Sequence, residues 1–110
     1  MNYSKGDVIL LPYPFSDLSA RKVRPAAVVS NGGNKYSDVF LVPLTSKINN
    51  LSPDEAVLLQ WHEAGLNVPT AIKRGCILID TDLIIKKVGK LSDTDRLQID
   101  TSLKRWLALE

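Results

Sequence analysis

Few residues in this sequence can carry nucleophilic or acid–base chemistry. There is one histidine, His62, and one cysteine, Cys76. Ser/His/Asp and Cys/His arrangements would each hang on a single candidate, and no cluster has the ligand spacing of a zinc site. Histidine titrates near neutrality, but Trp61-His62-Glu63 reads as a polar turn or a short helix. Cations are the larger resource. Residues 1–50 hold Lys5, Arg21, Lys22, Arg24, Lys35 and Lys47 against Asp7, Asp17 and Asp38, an excess of +3. Residues 51–110 hold eight basic and nine acidic groups. Positive charge gathered in the N-terminal half suits a phosphodiester; an ordinary solvated face is the alternative.

The elements that must position these groups are short. The chain has 110 residues, 45% apolar and 24% charged, with a formal net charge of +2. That is the material of one domain, 1–110, with a globular composition. Its longest apolar runs, four residues each as in Val8–Leu11 and Ala26–Val29, fall far short of the roughly 20 residues a bilayer span needs. No signal-peptide core follows Met1, so a soluble, reducing, cytoplasmic setting is expected. Val8–Leu11 reads as a buried strand ended by Pro12 and Pro14, with a loop over 12–23. Arg24–Ser30 and Val39–Leu44 read as two strands of a hairpin around Asn31-Gly32-Gly33-Asn34. Ala56–Leu59, Thr70–Lys73 and Ile77–Ile79 continue the β pattern. Ser92 is an N-cap for a helix whose stripe is Ile99, Leu103, Trp106 and Leu107. The expected architecture is mainly β, a small barrel capped by a C-terminal α-helix. Cys76 is expected to be a small core residue.

Five ordered segments carry something more specific. They are Gly6-Asp7-Val8-Ile9-Leu10 with Pro14-Phe15; Lys22-Val23-Arg24-Pro25-Ala26-Ala27-Val28-Val29-Ser30; Val42-Pro43-Leu44-Thr45-Ser46; Ala64-Gly65-Leu66 with Pro69-Thr70; and Val88-Gly89-Lys90-Leu91-Ser92. In this order and spacing the chain resembles the MazF/PemK family of toxin endoribonucleases from type II toxin–antitoxin systems, over roughly residues 5–92. The resemblance implies an SH3-like β-barrel (MazF/Kid/CcdB-like), a homodimer, a cognate antitoxin that blocks the RNA groove, and cleavage of single-stranded RNA at short sequences. It implies no metal and no cofactor. The substrate's own 2′-OH would attack the adjacent phosphorus, leaving a 2′,3′-cyclic phosphate and a 5′-OH.

The resemblance places catalytic roles on Arg24 and Thr45. A guanidinium presents a planar fork to two phosphate oxygens, and because it stays protonated it suits a clamp better than a general base. A threonine hydroxyl can donate to a non-bridging oxygen or accept from a 2′-OH. Without the resemblance, Arg24 would read as a surface residue opening a strand, and Thr45 with Ser46 as a strand-end turn. If strands two and three pair, both residues lie near one sheet end. Arg21, Lys22, Ser46, Lys47 and Lys73 are the expected substrate contacts. Phe15, or Tyr13, is a candidate to stack on a base, with Phe15 as a core plug the competing role. Some family members carry an Arg-x-Asp pair where this sequence reads Lys73-Arg74-Gly75, so an aspartate general base is missing. Two other functions share the fold: a toxin that traps DNA gyrase without cleaving RNA, and a catalytically decayed RNA-binding relative. The pairing of Arg24 with Thr45 favours the nuclease, because a gyrase trap needs neither.

Overall fold

The computed structural model describes residues 2–13, 22–33 and 35–109. Six strands precede the helix: β1 (Asp7–Tyr13), β2 (Lys22–Val28), β3 (Asp38–Thr45), β4 (Ala71–Ile72), β5 (Ile77–Asp80) and β6 (Lys86–Lys90), then α1 (Asp93–Trp106). All pairings are antiparallel, in the order β4-β3-β2-β1-β6, with β5 also on β3. The mainly β fold with a C-terminal helix is therefore present. The sheet curls without closing, because β6 at one end and β4 with β5 at the other do not pair.

Strand periodicity explains how so short a chain fills two cores. Val8, Ala27, Val42 and Leu44 point to one face, where they pack with Leu58, Ala64, Leu66, Ile72, Leu91 and Ile99 of α1. Ile9, Leu11, Ala26, Val28, Val39 and Leu41 point to the other, against Tyr3, Ile79 and Ile84. Successive residues of a strand face opposite sides. A strand buried on both sides therefore reads as an unbroken apolar run, as Val8–Leu11 and Ala26–Val28 do. Helix α1 starts where expected: the Ser92 side chain accepts from the Asp95 N–H, with Asp93 and Asp95 in the first turn.

Pro12, Pro25 and Pro43 lie inside strands, so Pro12 does not end β1; Pro14, the other expected terminator, lies outside the described residues. The Leu10 carbonyl accepts from Ile85 N–H at 2.8 Å. Pro12 faces the same side two residues on, past the last β6 partner Lys86, so its missing donor forfeits no ladder bond. Strands β1 and β2 thus extend to Tyr13 and Lys22, and the expected 12–23 loop is shorter by that much. Other expectations shift too. Ala56–Leu59 is not a strand: only Val57 bridges to Ala71, and residues 59–65 form turns. Residues 86–90 form a strand that hydropathy did not mark, because Lys86, Lys87 and Lys90 are exposed. Leu107 is half exposed at the helix C-cap rather than on the buried stripe, and Cys76 is exposed rather than in the core.

Turn 59–65 is held in place by buried polar groups. Asp95, 1% exposed, accepts from the Leu59 and Gln60 N–H groups at 2.8 and 3.0 Å. Gly65, at φ +88°, and Gly89 let two backbones touch: a Cβ on either would run into the other's carbonyl segment, Val88 or Ala64. Loop 65–70 is thereby fixed against β6, one wall of the site described next.

Candidate nucleic-acid interface

The β2–β3 hairpin sets the geometry. Ala26 pairs with Pro43, Ala27 with Val42 and Val28 with Leu41. That register, continued towards the open end of the hairpin, puts Arg24 across from Thr45. On its other side Arg24 pairs with Leu11, and Lys22 pairs with Tyr13. Strand β4 adds the third side: Thr45 pairs with Ala71, and the Lys73 N–H donates to the Pro43 carbonyl at 2.9 Å. Four strands thus deliver Tyr13, Lys22, Arg24, Thr45 and Lys73 to one end of the sheet.

Together with Pro43, Leu44 and Lys47, these residues line a cleft of about 240 Å³. A second cleft, of about 380 Å³, shares Arg24, Leu44 and Thr45 with the first and runs between Leu10, Pro25, Ser46, loop 65–68 and Lys86. The predicted contacts Lys22, Lys47 and Lys73 therefore border the first cleft, and Ser46 the second. Phe15 and Arg21 lie outside the described residues. His62 is exposed in turn 59–65, edge-on to Trp61, and lines neither cleft.

Local contacts prepare the two central groups. The Arg24 guanidinium carbon sits 5.7 Å from the centre of the Tyr13 ring, a cation–π arrangement that restrains a long side chain. Thr45 Oγ1 accepts from the Lys47 N–H at 3.0 Å. The strand-end turn and the exposed hydroxyl thus coexist: one lone pair orders the turn, and the hydroxyl proton stays available to a ligand. Arg24 and Thr45 are both partly exposed. Among the described residues neither cleft is lined by a carboxylate or an imidazole.

One carboxylate stands behind the first cleft. Glu55 accepts from the Arg74 N–H at 2.8 Å and the Ser52 N–H at 2.7 Å. These hydrogen bonds, Arg74's first, hold its carboxyl below the usual range, with Lys73 adding to the effect. Glu55 thus fixes the backbone beside Lys73; it lines neither cleft, so it is no stand-in for the missing aspartate. Sequence reasoning did not single out Glu55, Asn67 or Lys86. Lys86 follows from the register of β6, but Asn67 and Glu55 sit in irregular chain, where spacing gives no signal.

The family described as PemK-like, MazF-like toxin of type II toxin–antitoxin systems matches residues 4–107. The chain belongs to this family. Solved MazF structures have the same fold at low identity. MazE-MazF from Deinococcus radiodurans superposes with a TM-score of 0.78 at 18% identity, covering 98% of each chain. A mycobacterial endoribonuclease in complex with its cognate antitoxin gives 0.73 at 19% identity, covering 98% of this chain and 95% of that one. The toxin MazF-mt6 of Mycobacterium tuberculosis gives 0.72 at 14%, covering 94% and 98%. No curated protein matches the sequence.

Proposed function

We propose that this MazF/PemK-family protein is a single-domain endoribonuclease, spanning residues 1–110, that cleaves single-stranded RNA without a metal ion. The observation that carries the proposal is the convergence of Arg24 and Thr45 on the wall shared by two clefts, with Lys22, Lys47 and Lys73 around the first. In-line attack of a 2′-OH on its own phosphorus needs the two oxygens aligned and the growing negative charge neutralised. The Arg24 fork, braced on Tyr13, grips the non-bridging oxygens, and the free Thr45 proton donates to one of them. Lys22, Lys47 and Lys73 hold the neighbouring phosphates. The 2′-oxygen bonds to phosphorus as its proton passes to solvent water, the P–O5′ bond breaks, and solvent returns a proton to the departing 5′-oxygen, leaving a 2′,3′-cyclic phosphate and a 5′-OH.

The relatives' complexes with antitoxins extend the proposal to partners. An acidic antitoxin segment would neutralise the same cations and displace RNA from the clefts, and the toxin would act as a homodimer in the cytoplasm. Among the described residues no helix is long and apolar enough to cross a membrane.

The test is cleavage of single-stranded RNA in EDTA. The expected products carry cyclic-phosphate and 5′-OH ends, and Arg24→Ala and Thr45→Ala each lower kcat by more than about 100-fold, the effect of losing a transition-state donor. Intact RNA with the wild-type protein over substrates of varied sequence overturns the assignment. DNA breaks with intact cellular RNA on expression would point to the gyrase-trapping alternative.

A further inference from the structure

The second cleft shares Arg24, Leu44 and Thr45 with the first, but its other walls differ. Where the first is ringed by lysines, the second is walled by Leu10, Pro25, Leu66, Val68 and Val88, with Lys86 as its one cation besides Arg24 among the described residues. A phosphate placed there would lose hydration against aliphatic carbon and meet two cations, where the first cleft offers four among the described residues. A nucleobase fits such walls, because its faces are apolar and only its edge needs polar partners.

The polar partners are present. Asn67 and Ser46 both line the second cleft, both are exposed, and neither side chain is committed to a hydrogen bond within the described residues. Asn67 is presented by a fixed loop. Thr70 Oγ1 donates to the Val68 carbonyl at 2.9 Å, and the Leu66 N–H donates to the Trp61 carbonyl at 3.2 Å. Gly65 is packed backbone to backbone against Val88 and Gly89. A side-chain amide offers a donor and an acceptor side by side, the pattern that reads one base edge with two bonds.

We propose that the second cleft seats the nucleobase next to the scissile phosphate and that Asn67 selects it. This rests on the ribonuclease assignment and adds the source of sequence preference to it. The chemistry is divided at Arg24 and Thr45: phosphates track the lysine-lined cleft, and one base turns into the aliphatic cleft.

The experiment first maps the preferred site by sequencing the 5′ ends of RNA fragments. Oligoribonucleotides then carry each of the four bases at the position either side of the cleaved bond, and kcat/KM is measured for wild type, Asn67→Ala and Asn67→Asp. For wild type, one flanking position shows a preference of about tenfold to a hundredfold, the discrimination of a two-bond contact. In Asn67→Ala the four rates at that position fall within about threefold of one another, and the other position keeps its preference. Asn67→Asp, which can only accept, shifts the preference towards bases that present an amino group. A wild-type preference retained by both variants overturns the role of Asn67, as does an equal loss for all four bases in Asn67→Ala. A wild-type protein that cleaves none of the oligonucleotides overturns the ribonuclease assignment itself.

Discussion

At position 45 one hydroxyl orders a turn and, in the proposed reaction, also meets the substrate. Because Thr45 Oγ1 takes its hydrogen bond from the Lys47 N–H, its own proton is left to donate at no cost to the fold. Thr45→Ser preserves both roles and should keep kcat within about tenfold. Thr45→Val keeps the shape but removes the donor, and should lose about 100-fold or more in single-turnover cleavage. Arg24 invites a parallel comparison. Arg24→Lys keeps the charge but loses the planar fork and the stacking on Tyr13, so kcat/KM should fall at least about tenfold; unchanged kinetics would mean that only charge matters there. The convergence of Arg24 and Thr45 was legible in the sequence, because a hairpin turn after Ser30 fixes which ends of β2 and β3 meet. The brace under Arg24 was not, because Pro12 read as a strand terminator and cut Tyr13 out of β1. Cys76 shows the opposite error: flanking apolar residues suggested a core position, whereas the residue is exposed. Partial burial still pushes its thiol up. Thiolate, the reactive form, is therefore scarcer at pH 7 to 8 than in an unfolded chain, and iodoacetamide should modify native Cys76 more slowly than the denatured protein.

Between elements, the site depends on how irregular chain is tied to the sheet. Glu55 joins the 52–55 turn to the residues carrying Lys73 through two backbone N–H groups. Those two hydrogen bonds hold its carboxyl below the usual carboxylate range, so folding favours the ionised form. That contribution is complete above the unfolded carboxyl range and is lost as pH falls through the folded value. Glu55→Gln should lower stability by about 1 kcal/mol at pH 7, since solvent reaches the group. The thermal-midpoint gap between variant and wild type should shrink below about pH 4. The 65–70 loop makes a sterner demand. Gly89→Ala sets a methyl group against the Ala64 carbonyl, where backbone rather than a flexible side chain must yield, so the variant should fold poorly or not at all in a chemical-denaturation titration. Long apolar runs and the Ser92 cap made the central strands and the helix readable from sequence. Segment 56–59 misled because its pairing stops at the single Val57–Ala71 bridge, while Leu58 packs into the core beneath α1. Strand β6 stayed hidden because its exposed lysines mask a pairing set by β1.

Taken whole, the molecule has little net charge to offer RNA, only +2, so attraction must come from where the charge lies. Lys22, Arg24, Lys47 and Lys73 border one cleft and Lys86 the next. Three acidic groups are engaged elsewhere: Asp7 with Lys87 at 3.1 Å, Asp100 with Lys5 at 2.9 Å and Asp54 with Arg105 at 2.7 Å. Those pairs neutralise charge away from the clefts and leave the cleft cations to face a polyanion. A single-stranded ligand releases about 0.7 counterion per phosphate neutralised. Binding of a short oligonucleotide by the Arg24→Ala variant, which separates affinity from cleavage, should therefore weaken linearly on a plot of log affinity against log salt. Each of Lys22→Ala, Lys47→Ala and Lys73→Ala should flatten that slope by about 0.7, measured by fluorescence anisotropy between 50 and 300 mM salt. Lys35→Ala and Lys104→Ala, which line neither cleft, should leave it unchanged. A slope that responds to all five lysines alike would mean that RNA is held by diffuse charge, and the division of the surface into a phosphate track and a base pocket would fall with it.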